Sequence, residues 1–398
     1  MAAIQDYDVA VIGGGPAGAT AAATLARAGR SVLLLDRAGR IKPCGGAVPP
    51  RLIHEFDIPD HLLVARARGA RIVSPRGRQV SMPIAGDGFV GMVDRDVFDE
   101  FLRARAATAG AVRLTGRHER IERAADGRTL VHYRAGEMQH TVAARAVIGA
   151  DGAASAVARQ MVPGAGAARR VFAYHEVIRA PAAGEAAAAG WDGKRCDIYY
   201  DARVSPDFYA WIFPHGETAS IGTGSAVKGF SLRGAVAALR DEAGLGQAET
   251  IRAEGAPLPL KPLARWDDGV NVLLAGDAAG VVAPASGEGI YYAMLGGQLA
   301  GEAADAFCAS GDARALREAR RRFMAAHGMV FAVLGMMQDF WYASDRRRER
   351  FVAICGDADV QSITWQAYME KALVRAKPAA HLRIFAKNIA HLTGLARA

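Results

Sequence analysis

The stretch Asp8–Gly18, DVAVIGGGPAG, constrains this 398-residue chain more than any other. Asp8 to Ile12 carries a continuous apolar run, which reads as a strand buried on both faces. Gly13, Gly15 and Gly18 follow as a GxGxxG turn, and Ala19 to Ala28 is alanine-rich with helical propensity, closed by Gly29. Ser31 to Leu35 (SVLLL) reads as a second buried strand and ends at Asp36. In such a turn the first glycine permits a tight reversal and the second lets backbone approach a pyrophosphate. The third lets helix and strand pack closely. The helix N-terminus offers free N–H groups and the positive end of its dipole to phosphates. Asp36 stands about twenty residues on, where a carboxylate accepts from a ribose hydroxyl. Pro16, Ala17 and Arg37 fall within the same dinucleotide cradle.

This is a complete Rossmann-type β-turn-α-β unit, and two later segments decide which dinucleotide it holds. Val147 to Gly152 is a strand ending in Asp151-Gly152. Leu273 to Ala279 is a second strand ending in Gly276-Asp277, followed by Pro284, Gly287 and Gly289 before a long helix. A carboxylate at that strand end can bind a ribityl hydroxyl, and the helix N-terminus beyond it can face the pyrimidine edge of a flavin. The order and spacing of these segments after the GxGxxG point to FAD.

Composition narrows the field. Hydrophobic residues are 51% and charged residues 23%, an ordinary globular balance. The four cysteines, Cys44, Cys196, Cys308 and Cys355, form no CxxC pair, so a disulfide framework and a metal-finger site are not expected. The N-terminus lacks the features of a signal peptide, and the apolar run Gly328–Gln338 is too short to span a bilayer. A cytoplasmic protein is expected. Between Asp312 and the end, fifteen Lys/Arg stand against eight Asp/Glu, so most of the net +8 lies there. A basic helical tail suits an anionic surface or is simply a solvated face. Near its end Leu382, Phe385, Ile389 and Leu392 share one helical face beside Arg383, Lys387 and His391, an arrangement that lies on a membrane or docks on the protein's own core. No basic-aromatic module for nucleic acid is present.

The three segments, in this order, resemble the FAD monooxygenase-like superfamily of the aromatic hydroxylases over roughly residues 6 to 310. One departure is Gly280, where hydroxylases often carry histidine. A narrower resemblance rests on Lys42-Pro43-Cys44-Gly45-Gly46-Ala47-Val48-Pro49-Pro50, Glu55–Pro59, Gly91–Arg95 with Phe98-Asp99, and Tyr209-Ala210-Trp211-Ile212-Phe213-Pro214. These stretches are similar to the geranylgeranyl reductase family, nearest its (bacterio)chlorophyll-pathway members, which saturate a geranylgeranyl tail to phytyl. The resemblance implies FAD, an electron donor that is NADPH or reduced ferredoxin, and a geranylgeranylated pigment or free geranylgeranyl diphosphate as substrate. Peripheral contact with the inner, photosynthetic membrane would follow from such a substrate.

An isolated trisubstituted alkene needs hydride at one carbon and a proton at the other; reduced flavin carries the hydride, and the protein must hold an apolar chain and exclude water. Tyr209, Trp211 and Phe213 alternate along an expected strand, so their rings share a face. That face is a wall for a prenyl chain or a half-buried sheet face packed on its own core, and Pro214 closes the motif. Cys44 lies in a Gly-rich loop just past the second strand. By the resemblance it is the catalytic candidate, its thiol relaying a proton; the alternative is a small buried thiol. Gly45 and Gly46 mark a loop of unusual backbone angles that can approach the cofactor. Arg95 reaches FAD or makes an ion pair at its helix end. His175 and His215 are assigned no role, and no metal site is expected.

The fold class expected is α/β, or α+β overall: a Rossmann-type FAD-binding domain (1–70, 94–170 and 265–311), an inserted antiparallel β-sheet substrate domain (71–93 and 171–264) and a helical C-terminal region (312–398). Besides the prenyl reductase, acting on pigment, free diphosphate or prenyl lipids, two other readings stand. One is a flavin-dependent hydroxylase or halogenase, and the other a non-enzymatic prenyl-binding carrier.

Overall fold

The apolar run that opens the chain forms the strand Gln5–Ile12 in the middle of a seven-stranded sheet. The computed structural model describes residues 4–37, 41–167, 170–182 and 190–374. Parallel neighbours of the first strand are Val32–Asp36 on one side and Met138–Gly149 on the other. Val112–Thr115 extends the sheet beyond Val32–Asp36, also in parallel. Val272–Leu274 pairs in parallel with the end of Met138–Gly149, whose earlier part takes Thr129–Ala135 and then Arg117–Arg123 in antiparallel order. Val9, Val11 and Leu33 are completely buried, which is why the run lacks polar alternation. Each such side chain contributes roughly 1.5–3 kcal/mol of apolar burial. Helix Pro16–Arg27 packs on helix Ile290–Ser310. The contact is close because a Cβ at Gly297 would stand 2.1 Å from the Ala17 carbonyl oxygen. This sheet and these helices belong to a compact unit of residues 1–42, 95–170 and 257–331.

A second unit comprises residues 43–94, 171–256 and 332 onward. Its main sheet has seven strands in the order Thr250–Pro259, Arg170–Arg179, Thr218–Ser225, Ala210–His215, Arg195–Tyr199, Gly69–Val73 and Gln79–Pro83. One pair, Arg195–Tyr199 with Gly69–Val73, is parallel. Helix Leu232–Glu242, capped by Ser231, covers one face and buries Ile212, Ala210 and Ile221 with Val236 and Leu239. A small sheet of Ala47–Val48, Val90–Met92 and Ala65–Ala67 lies in the same unit.

The expected fold class holds, but the division differs from the sequence reading at three places: residues 257–264, expected in the substrate domain, group with the first unit, and two further stretches differ. Residues 43–70 group with the second unit, because Ala65–Ala67 pairs with Val90–Met92 and Gly69–Val73 with Arg195–Tyr199. The described residues after Asp312 form no third region: they group with the first unit up to Phe331 and with the second from Ala332. The helical stretch Ala313–Trp341 is long and apolar enough to cross a membrane by length and composition, and only 17% of its most apolar window is buried. The run Gly328–Gln338, too short alone, lies in the C-terminal half of that longer helix. The amphipathic face expected around Leu382–Leu392 lies outside the described residues.

Candidate functional site

In the first unit the strand Gln5–Ile12 delivers Gly13 with φ +105°, a conformation that excludes other residues at low cost. A Cβ there would lie 2.3 Å from the Ala150 oxygen, and one at Gly18 1.8 Å from the Gly13 oxygen. Both glycines are therefore fixed by the protein's own packing. Gly15 is different: a Cβ at that position would meet no described atom within 4 Å. The space over Gly15 opens at the N-terminus of helix Pro16–Arg27. Among the described residues no side chain caps that terminus and its first turn holds no acid. Helix Ile290–Ser310, which follows Gly289, starts the same way. Two uncapped, acid-free helix N-termini in one unit offer N–H groups and positive dipole ends to anions.

Carboxylates stand at the strand ends. Asp36 closes Val32–Asp36, with Arg103 Nη1 at 3.4 Å and the Gly14 backbone beside it. Burial raises its pKa, against the opposing pull of backbone N–H groups and Arg103. Arg103 also donates to the Gly14 oxygen at 3.3 Å. Asp277 is buried in a short 3-10 turn, Gly276–Ala279, and its carboxylate is paired with Lys42. Gly276 lies over Ala17, and a Cβ at Gly289 would sit 3.7 Å from Asp277 Oδ1. The loop Pro284–Gly289 is held by Ala283, whose N–H donates to the Glu288 oxygen and whose oxygen accepts from Gly287. Within that loop Ala285 has φ +59°, a strained angle for a residue with a Cβ.

Two other expected cofactor residues, Asp151 and Arg95, have partners on the helices they cap or open. Asp151 accepts from Ala156 N (2.6 Å), Val157 N (3.2 Å) and Ser155 Oγ, so its carboxylate caps helix Ala156–Met161. The Gly152 oxygen accepts from Ser155 N within the same turn. Arg95 makes a buried two-pronged pair with Asp99 at 2.8 and 2.7 Å, the helix-end ion pair. Arg37 is exposed.

Cys44, Gly45 and Gly46 belong to the second unit, where they meet the expected substrate residues. Cys44 is half-buried, and its Sγ accepts the Gly46 N–H at 3.4 Å. The other three cysteines are buried, and burial raises their pKa, that of Cys355 to about 12. Gly46, at φ +69°, has Val93 and His215 against it, leaving no room for a Cβ. A Cβ at Gly45 would stand 2.9 Å from the Phe213 ring and 3.7 Å from Trp211 Nε1. The glycine loop thus lies on the aromatic face. Tyr209, Trp211 and Phe213 form a row with ring centroids 5.9 and 6.2 Å apart, continued by Tyr200 and Phe351. Pro214 alternates to the opposite face. His215, unassigned in the sequence, donates from Nδ1 to the Phe213 oxygen at 3.3 Å, and burial pushes its pKa down to about 4. It is a neutral imidazole with bare Nε2 turned to Gly46. Among the described residues no group of three or more His, Cys, Asp or Glu is placed to hold a metal.

Sequence reasoning missed Lys42, Arg103, Gly297 and Ala285 as contributors. Two of these carried a signal: Lys42 opens the stretch on which the resemblance rests, and Gly297 stands four residues from Gly301 on an alanine-rich helix.

The glycines and strand-end carboxylates of the first unit fit a dinucleotide, and comparison with known proteins agrees. A family model described as pyridine nucleotide-disulphide oxidoreductase matches residues 7–189. Geranylgeranyl diphosphate reductase of Rhodobacter capsulatus is 58% identical over 392 residues, 98% of each chain. The chain belongs to the geranylgeranyl reductase family. Another member of that family, geranylgeranyl diphosphate reductase of Synechocystis, is 36% identical over 96% of this chain and 97% of its own. A crystal structure of a geranylgeranyl bacteriochlorophyll reductase-like protein from Thermoplasma acidophilum superposes with a TM-score of 0.81 at 23% identity, covering 96% of both chains, and so shares the fold. The expected FAD-dependent oxidoreductase of the geranylgeranyl reductase family therefore stands.

Proposed function

We propose that the chain saturates the isolated double bonds of a geranylgeranyl chain with FAD as cofactor, and that its substrate is geranylgeranyl-(bacterio)chlorophyll, carried to the phytylated pigment in three steps. The observation that carries this reading is the 58% identity across 98% of both chains to a geranylgeranyl diphosphate reductase.

When bound, FAD supplies the hydride. The remaining roles fall to the chain. Gly13–Gly18 and the uncapped start of helix Pro16–Arg27 would hold the pyrophosphate, Asp36 would accept from a ribose hydroxyl, Asp277 would accept from the ribityl chain, and the uncapped start of helix Ile290–Ser310 would face the pyrimidine edge of the flavin. Tyr209, Trp211 and Phe213 bind the prenyl chain and exclude water, while Pro214 and Ile212 anchor their strand on the other face. Cys44 holds a proton at Sγ, and the Gly46 N–H fixes where that sulfur sits. NADPH is the proposed electron donor, supported by a family model whose description names a pyridine nucleotide.

Anaerobic incubation of the FAD-loaded protein with geranylgeranyl-bacteriochlorophyll and NADPH should give dihydro, tetrahydro and phytyl products in order. Turnover only with reduced ferredoxin would replace the donor. Reduction of free geranylgeranyl diphosphate but not of the pigment would move the substrate to the diphosphate. Oxygen-dependent oxidation without any reduction would favour a hydroxylase or halogenase.

We also propose a cytoplasmic protein held peripherally at the inner membrane. Exposed Met329 and Met336 on helix Arg317–Trp341, with Arg320–Arg322 and Arg346–Arg347 along the chain on either side, support this. Flotation with anionic phosphatidylglycerol vesicles at low salt, and none with neutral vesicles, is the expected result.

A further inference from the structure

The aromatic face of the second unit is wired to a buried polar chain that the function above leaves unused. Trp211 pairs across the sheet with Gly222, which pairs with His175 on the next strand. In the adjacent row Phe213 pairs with Ser220. A Cβ at Gly222 would stand 2.2 Å from Trp211 Cζ2 and 2.7 Å from His175 Cβ. The missing side chain is what lets the indole lie across the strand. Its Nε1 then donates to Ser220 Oγ at 3.2 Å. Ser220 Oγ lies 3.0 Å from His175 Nδ1, and His175 Nε2 lies 3.5 Å from Glu254 Oε2. Arg252 Nε stands 2.6 Å from the other Glu254 oxygen. Trp211, Ser220 and His175 are 6%, 2% and 3% exposed, so among the described residues these groups are satisfied by one another and by Glu254.

The donor inventory gives the chain a direction. A carboxylate only accepts, so the proton of a neutral His175 sits on Nε2, facing Glu254. Nδ1 is then bare and accepts the Ser220 O–H. The serine oxygen, its single proton spent, accepts the indole N–H. Each member fixes the next, from the Arg252–Glu254 pair to the ring. At the far end, Trp211 Nε1 is within 3.7 Å of the position of a Gly45 Cβ, in the loop that carries Cys44. Any tilt of the indole therefore changes the gap between the aromatic row and that loop.

We infer that Ser220, His175 and Glu254 are positioning residues that lock the Trp211 indole over Gly222 and thereby set how far along a prenyl chain reduction proceeds. This rests on the aromatic face being the prenyl wall. Each reduction replaces a planar alkene by freely rotating sp3 carbons, so a partly saturated chain is more flexible and depends more on a fixed wall to hold its next double bond; loosening the ring should leave intermediates rather than merely slow the enzyme.

The test uses the full-length, FAD-loaded protein with Ser220→Ala, Ser220→Thr and Gly222→Ala. It reads Trp211 emission, as the difference from Trp211→Phe, and the ratio of fully to partly saturated product. Ser220→Ala should shift the emission and lower that ratio about fivefold, the factor that corresponds to one net hydrogen bond. Ser220→Thr, which restores the hydroxyl, should return both readouts. Gly222→Ala pushes the ring from below and should change both by a route that removes no hydrogen bond. A folded Ser220→Ala with wild-type emission and product ratio overturns the inference, as does a threonine variant that behaves like alanine. Should Ser220→Ala not fold, a folded Gly222→Ala with wild-type readouts overturns it equally. If the wild type reduces no geranylgeranyl substrate, the proposed function has failed, while the emission shift still decides whether the chain locks the ring.

Discussion

Asp151 and Asp277 lie just beyond neighbouring parallel strands, paired at Gly149 and Leu274, and both adjoin a glycine. On the page of the sequence they are the same signal. In the fold they are opposites. Asp151 turns back onto its own chain and takes two N–H groups and a hydroxyl from the start of helix Ala156–Met161. Asp277 caps no helix among the described residues; it is buried, meets the Lys42 ammonium and sits beside the uncapped start of helix Ile290–Ser310. A strand-end carboxylate is available to a ligand only when the next helix does not need it. Whether that helix begins within six residues, as at Asp151, or after a structured loop, as at Asp277, decides the matter.

The largest effect should separate these two. Asp277→Ala removes a charge-assisted acceptor that nothing local replaces, and FAD affinity should fall about 10–100-fold. Asp151→Ala should cost about 1 kcal/mol of stability, the usual loss for a helix cap, with FAD affinity within about twofold of wild type. Flavin titration and thermal unfolding of both variants check the pair. Equal losses of flavin would erase the distinction.

The same contrast shows what could be read beforehand. Gly13–Gly18, Asp36 and the buried strands were legible because apolar continuity and a motif at fixed spacing are local facts. The alternation of Trp211 and Phe213 was legible for the same reason. Lys42 and Arg103 were not, because what brings them to Asp277 and Asp36 is long-range packing, across 235 and 67 residues. The division at 43–70 failed for a related reason: Gly69–Val73 takes its neighbour from a strand more than a hundred residues later. Cys44 and the aromatic motif read as separate features, yet Gly45 and Gly46 seat that loop on Phe213 and His215.

Asp36 offers an intermediate effect with a sign that can be worked out. Burial raises its pKa in the folded apoprotein above the ordinary carboxylate value of the unfolded chain. The folded state therefore holds this proton more tightly, and its contribution to stability is present below the ordinary value and lost as pH rises through the raised one. Asparagine does not ionise. Apo Asp36→Asn should be more stable than wild type at neutral pH, and the advantage should vanish in acid. FAD affinity should fall about tenfold, since the amide replaces a charged acceptor. Thermal unfolding against pH reads the first part and flavin titration the second. An asparagine variant less stable at every pH would mean that Arg103 outweighs burial.

Lys42→Met should tighten flavin binding where the other variants weaken it or leave it alone, and so sharpens the role of Asp277 itself. The lysine side chain is 29% exposed and the aspartate 4%, so removing the ammonium strands a carboxylate that has little water. The apoprotein should lose about 1–3 kcal/mol, the cost of a buried acceptor left unpaired. A bound ribityl hydroxyl would satisfy that acceptor again, so the loss should shrink in the FAD-loaded protein. By linkage, a penalty larger in the apo form than in the loaded form tightens binding rather than weakening it. Unfolding of both forms, with FAD in excess for one, measures the two penalties. An equal loss in both would mean that Lys42 and Asp277 stay paired when the flavin is bound, and that the ribityl contact lies elsewhere.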